Sequence, residues 1–425
     1  MPPAVAVALF VFRLNAAEIP EPVLPAGVGV SISFVRGHQK DLDMIATAGF
    51  KFIRMDFSWG STEKKKGKYD WSAYDELTTN LERRGIRPYY ILDYSNPLYE
   101  GTVARTNLAG KVDRAVISPQ HPESVEAFAR WAAAAAEHFR GRHIIWETWN
   151  EPNISFWKPK PDVNQYIALT LATCKAVRTA DPQATIVAPA TSEFPWAFLE
   201  SFLKSGALEF LDGVSVHPYR SPKQPPESAA GDYQRLRALI DRYAPDEKKK
   251  KIPIISGEWG YSSQTKGVSL KTQSAFIVRQ QLSNLLCGVP VSIWYDWAND
   301  GGDPAEKEDN FGTVTQDLEP KPAYVSIQTL TRELSSYHIS SRYDTGNTND
   351  FVLILTNTMG ETKLAAWTLA APHSLALNLQ PTPVKEMVLV NGEGQSGKIE
   401  IQSNRFSFLI NGKPEYPALG MAHLK

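Results

Sequence analysis

Two glutamates stand out because each ends an apolar run and each is set among Trp, Asn and Gly. Glu151 lies in Trp149-Asn150-Glu151-Pro152-Asn153, after the run 143–148. Glu258 lies in Gly257-Glu258-Trp259-Gly260, after the run 252–256. Carboxyl groups at the mouths of two strands, among aromatic rings, suit cleavage of a glycosidic bond, where one acid gives a proton and the other attacks the sugar. A single glutamate at a strand end is ordinarily a surface or ion-pair residue; two in matching surroundings point to catalysis. Glu147, four residues before Glu151, starts deeper on the same strand and reads as a buried structural carboxylate or a partner of the catalytic groups.

The elements that position this pair follow from the hydrophobic pattern. Short β-branched runs at 27–34, 52–57, 86–93, 143–149, 185–189, 213–217, 252–257 and 291–296 alternate with helical stretches such as 41–48, 73–83, 122–139, 163–179, 233–243 and 272–287. Nearly continuous apolar strands fit a parallel sheet covered on both faces. Eight such units predict an α/β fold, a closed (β/α)8 barrel. An open doubly wound sheet would place a glycine-rich turn after its first strand, and Ser33-Phe34-Val35-Arg36-Gly37 is not one. Beyond residue 335 helical periodicity stops and alternating runs separated by turn residues predict a small antiparallel β-sandwich. The expected organisation is an N-terminal segment (1–26), a barrel (27–335) and a β-sandwich (336–425).

In such barrels chemistry sits at the carboxyl ends of the strands. Glu151 ends the fourth and Glu258 the seventh, on opposite sides of the mouth. A retaining pair stands about 5–5.5 Å apart, and that spacing is expected here. Glu258 is expected to be the nucleophile and Glu151 the acid, then base; with Glu258 ionised nearby, the neutral form of Glu151 should be favoured. Asn150 is placed to donate its amide to a sugar 2-hydroxyl. Trp59, Tyr94, Trp157, Tyr219, Tyr261, Trp294 and Trp297 all fall at or just after strand ends, where aromatic faces suit a pyranose ring. Each is equally a possible packing residue.

These residues carry a resemblance. Trp149-Asn150-Glu151-Pro152-Asn153 resembles the acid/base motif of clan A glycoside hydrolases, and Gly257-Glu258-Trp259-Gly260 resembles that clan's nucleophile strand. Arg54 on the second strand matches the clan's arginine that supports the nucleophile, although it could also neutralise a buried acid such as Asp56. His217-Pro218-Tyr219 matches the clan's histidine and tyrosine position, and Trp294 the tryptophan of the eighth strand. The layout most resembles glycoside hydrolase family 39, in particular bacterial enzymes that cut exopolysaccharides; cellulase-like family 5 is the nearest rival. The resemblance implies hydrolysis of β-glycosidic bonds in an oligo- or polysaccharide by double displacement, with retention and without a cofactor.

Other classes fit poorly. The formal net charge of −1 over 425 residues lacks the basic excess of a nucleic-acid binder. No run is long enough for a membrane span. Gly392-Glu393-Gly394-Gln395-Ser396-Gly397-Lys398 imitates a phosphate loop, but Ile399 replaces the required hydroxyl and a strand-like pattern follows. The histidines show no metal-ligand spacing, so no metal is expected, and no Gly-x-Ser-x-Gly elbow occurs. Cys174 and Cys287 fall in predicted helices and read as free thiols. Residues 4–12 are apolar and 15–18 resemble a small-residue cleavage region, so the N-terminus reads either as a signal remnant, with a secreted or periplasmic protein, or as a β-strand. A glycan-binding protein without turnover, on the same barrel, is the alternative function. The sequence leaves the oligomeric state and the identity of the sugar open.

Overall fold

A computed structural model describes residues 19–106 and 112–425. The apolar stretch 4–12 and the segment 15–18 lie outside the described residues. Eight parallel strands close a barrel: β1 (Val28–Ser31), β2 (Phe52–Ser58), β3 (Arg87–Asp93), β4 (Ile145–Thr148), β5 (Thr185–Ser192), β6 (Gly213–His217), β7 (Ile254–Trp259) and β8 (Ser292–Trp294). They run around the barrel in the order β1-β8-β7-β6-β5-β4-β3-β2.

Side chains alternate faces along a strand, and this sorts the barrel interior into layers. Phe52, Tyr89, Ile145, Val187, Ile255, Val291 and Ile293 form an apolar cluster of their own. Two residues further along β2, β4 and β6, the same face carries Arg54, Glu147 and Ser215. One more step brings Asp56 and His217 to the mouth. The opposite face of β2 (Ile53, Met55, Phe57) is apolar and joins the large core shared with the surrounding helices.

The helices are bounded by local signals. Asp162 accepts from the backbone of Asn164 and Gln165 at the start of Val163–Ala180. Ser269 does the same for Thr272 at the start of Leu270–Leu286, and Pro122 opens Pro122–His138. Cys174 is a buried free thiol as expected; Cys287, just past Leu270–Leu286, is free but only partly buried. Sequence patterning gave no element between β3 and the helix Pro122–His138, yet Thr102–Thr106 and Val112–Val116 pair there as an antiparallel hairpin.

Past the barrel lie β9 (His338–Arg342), β10 (Asp350–Thr356), β11 (Thr362–Thr368), β12 (His373–Asn378), β13 (Glu386–Val390), β14 (Ser396–Glu400), β15 (Arg405–Ile410) and β16 (Tyr416–Gly420). A six-stranded sheet in the order β9-β10-β11-β16-β13-β14 and the pair β12-β15 form a β-sandwich, with Val352, Leu364, Leu377, Phe406 and Ile410 in its core. The imitation phosphate loop is the hairpin between β13 and β14. Before β1, Val23 bridges to His338 of β9.

A buried polar joint ties sandwich to barrel. Glu227 takes two hydrogen bonds from Arg279, at 2.8 and 2.6 Å, and one from the Trp367 indole of β11 at 2.8 Å. Arg279 also donates to the carbonyl of Gly412, at 3.1 Å. Breaking a buried pair leaves an uncompensated charge, which costs about 3–5 kcal/mol. Arg279→Ala is therefore expected to lose roughly that much stability in denaturant unfolding, and a loss below about 1 kcal/mol would show the joint to be solvated.

Candidate active site

The barrel alternation delivers one cation to the centre of the mouth. Arg54, 2 % exposed, donates through Nε to Glu147 at 2.8 Å, through Nη1 to Glu258 at 2.6 Å and through Nη2 to Asn150 Oδ1 at 2.8 Å. Burial alone would lower its pKa, but the charges of Glu147 and Glu258 more than offset this and raise it. Glu147 is fully buried and also accepts from Tyr89 Oη at 2.6 Å, as expected of the deeper carboxylate.

Glu258 ends β7 with both oxygens held: Oε2 by Arg54, and Oε1 by the Tyr219 hydroxyl at 2.7 Å. Burial and then the charge of Glu258 push the Tyr219 phenol upward, so it stays protonated and donates. Gly257 lets this network close. A β-carbon there would lie 2.4 Å from Ser215 Oγ and 3.1 Å from Glu147.

Glu151 leaves β4 through a twisted turn. Trp149 has φ 66° and Glu151 φ 46°, left-handed conformations that non-glycine residues seldom adopt and that concentrate at functional sites. The turn buries Trp149 while turning Glu151 into the mouth, and the Glu151 amide donates to Ala190 of β5 at 3.0 Å. His217 Nδ1 lies 3.0 Å from Glu151 Oε1, and His217 Nε2 lies 3.2 Å from Arg54 Nη2. A guanidinium has no acceptor to offer, so Nε2 accepts and the Nδ1 proton points at Glu151. Burial would raise the Glu151 carboxyl, but the hydrogen bonds from His217 and Ser192 and the charge of Arg54 together hold it below the usual carboxylate range. This differs from the expectation that Glu258 would favour neutral Glu151 in the resting site; hydrogen bonds to the charged form outweigh the like charge.

One carboxylate oxygen each of Glu151 and Glu258, with a nitrogen of His217, lie within 4.8 Å of one another. Three such atoms could in outline hold a metal ion. The buried guanidinium already supplies the positive charge there, and a divalent cation would sit against it.

The cavity above the pair encloses about 910 Å³ and is lined by Arg54, Asn150, Glu151, Tyr94, Tyr219, Tyr261 and Glu258 among others. That volume falls in the range of ligand-binding clefts. Four expected contacts are corrected. Trp59 is fully buried, stacked 5.1 Å from Tyr99, with its indole donating to Glu63. Trp157 is buried against Trp149 at 5.1 Å and donates to Gln165. Trp294 is buried and donates to the carbonyl of Phe311. None of the three lines the cavity. Trp297 donates to Asp41 and lines a neighbouring cavity of about 210 Å³ instead. His217 is fully buried and reaches the site through Glu151 and Arg54.

Phe156, Tyr295, Asp56 and Asp296 line the cavity and were not anticipated. Tyr295 follows the buried Trp294 and takes the opposite face. Burial raises both Asp56 and Asp296, the latter despite the amide of Trp297.

Comparison with known proteins agrees with this layout. The model of the cellulase family (glycosyl hydrolase family 5) matches residues 22–300. The chain belongs to this family of glycosyl hydrolases. A β-xylosidase of Caldicellulosiruptor saccharolyticus is 22% identical over 275 residues, 60% of this chain and 55% of the relative. A β-xylosidase of Geobacillus stearothermophilus is 24% identical over 239 residues, 50% and 44% of the two chains. The chain thus spans about half the length of the curated relatives it matches. A family 39 glycoside hydrolase from Bacteroides cellulosilyticus WH2 shares the fold with TM-score 0.78 and 24% identity, covering 95% of this chain and 82% of that one. A monomeric β-xylosidase from Caulobacter crescentus CB15 does so at TM-score 0.67 and 16% identity, covering 94% and 97%. The fold neighbours support the likeness to family 39, while the matching family model is that of family 5; the chain is a clan A glycoside hydrolase by either.

Arg54 generates a test. Arg54→Met strands Glu147 in the barrel and is expected to cost about 3–5 kcal/mol in chemical denaturation. Adding Glu147→Met should recover much of that stability, because an apolar pair of similar volume is tolerated where a lone charge is not. If the double variant were less stable than the single one, Tyr89 would be enough to hold Glu147 without Arg54.

Proposed function

We propose that the protein is a retaining glycosidase that cleaves β-glycosidic bonds of an oligo- or polysaccharide, with Glu258 as nucleophile and Glu151 as acid and then base. The observation that carries this reading is the approach of the two carboxylates to within 4.8 Å across the cavity. Inverting pairs need roughly 6.5–9.5 Å to admit a water between acid and base, whereas retaining pairs stand at about 5–5.5 Å.

In the first step an oxygen of Glu258 attacks the anomeric carbon, the bond to the leaving oxygen breaks, and the Glu151 proton passes to that oxygen. Arg54 and Tyr219 keep the Glu258 carboxylate aimed. In the second step Glu151, now a carboxylate, takes a proton from water. The water oxygen attacks the anomeric carbon, and Glu258 leaves as a carboxylate. A sugar in the cavity also strips water from Glu151, which raises its pKa and favours the protonated form the first step uses. Asn150, held between Arg54 and the Tyr94 hydroxyl at 2.8 and 3.0 Å, is aimed to meet a sugar hydroxyl. The two intact carboxylates speak against a glycan-binding protein without turnover. The activity named for the two curated relatives makes β-xylosides the first substrates to try.

Glu258→Ala is expected to abolish turnover in a variant that keeps its circular dichroism. Glu151→Ala should slow substrates with poor leaving groups by about 10²–10⁴-fold, and azide should restore turnover of an activated aryl glycoside. Substantial activity in Glu258→Ala, or equal losses in Glu151→Ala for good and poor leaving groups, would contradict the assignment. The pH profile gives a separate check. Glu151 is depressed in the free protein, so kcat/KM, which reports the free enzyme, should fall at lower pH on its basic side than kcat, which reports the bound state. Coincident basic limbs would mean that sugar binding leaves the acid unchanged.

A further inference from the structure

Of the large hydrophobic side chains left exposed among the described residues, Phe156 alone is aromatic and alone lines the cavity. Isolated exposed hydrophobes are ordinary; this one stands out by its place and its support. It follows Glu151 by five residues on the loop leaving β4, and the next residue, Trp157, is buried against Trp149 at 5.1 Å and pins the loop. Phe156 itself leans on Tyr94, with ring centroids 6.0 Å apart and planes at 33°. Tyr94 is fixed in turn, edge-on to Trp149 at 5.5 Å, with its hydroxyl accepting from Asn150 at 3.0 Å. The ring is 39 % exposed yet backed by packed, hydrogen-bonded side chains, so covering it with a ligand costs little conformational freedom.

The position of Glu151 says what covers it. A general acid must reach the glycosidic oxygen, so the leaving group lies beside Glu151, and the loop that carries Glu151 carries Phe156 into the same cavity. We propose, resting on the glycosidase reading above, that Phe156 is the platform for the sugar ring of the leaving group. The substrate class is then a β-linked oligosaccharide whose leaving group is a pyranose presenting an apolar face, rather than a glycoside of a small alcohol. Stacking of that face on the phenyl ring removes apolar surface from water on both partners.

The test compares two substrates that share a glycone and differ only in the leaving group. β-Linked xylo-, gluco- and manno-trisaccharides are screened with the unaltered protein, and the one cleaved is paired with the β-glycosyl fluoride of the same sugar, whose leaving group has no ring. In Phe156→Ala the ratio of kcat/KM for the trisaccharide to that for the fluoride should fall about tenfold, and Phe156→Trp should restore it. An unchanged ratio, whether both values drop together or neither moves, would overturn the platform while leaving the glycosidase reading intact. Inertness of the unaltered protein toward every trisaccharide and fluoride would overturn both.

Discussion

The structure depends on one buried cation. A guanidinium at the centre of a barrel mouth must be matched by negative charge and by acceptors for its fixed fork of donors. Arg54 finds them on two other strands, Glu147 of β4 and Glu258 of β7, and on Asn150 just beyond β4. Glu147 supplies a fully buried counter-charge, and Glu258 is held by the same guanidinium while still facing the cavity. The absence of a side chain at Gly257 follows from the same crowding, since Ser215 and Glu147 occupy the place a β-carbon would take.

The second carboxylate is set by a different device. Glu151 does not share a barrel layer with Arg54. It is turned into the mouth by the left-handed backbone at Trp149 and Glu151 and met there by His217, whose tautomer is dictated by Arg54. One arginine therefore reaches both carboxylates, one directly and one through an imidazole. That linkage holds in place two acidic groups that lie within 4.8 Å of each other.

Much of this was legible in the sequence. The period of two along a strand places Arg54, Glu147 and His217 in the interior once the strands are recognised, and the Glu151 and Glu258 motifs mark the mouth. The barrel followed from eight alternating apolar and helical runs, and the sandwich from the change to strand-like alternation near residue 335. Which of two adjacent aromatics faces the cavity, at the end of β8 and on the loop after β4, was not legible. Trp294 and Trp157 looked like cavity walls, yet each is buried and its neighbour, Tyr295 or Phe156, faces the cavity. A one-residue shift reverses which face a side chain takes, and the turn that causes it is set by tertiary packing. The hairpin after β3 was missed because its strands, Thr102–Thr106 and Val112–Val116, offer little hydrophobic alternation.

In the proposed reaction Glu258 forms a covalent bond to the sugar. It is tested most directly by incubating the protein with a 2-deoxy-2-fluoro-β-glycoside bearing an activated leaving group, which slows release of the intermediate, and mapping the labelled peptide by mass spectrometry. One glycosyl group per chain is expected, esterified to Glu258, with Glu151 unlabelled. A label on Glu151 or on any other residue, in a protein that hydrolyses the unfluorinated glycoside, would contradict it.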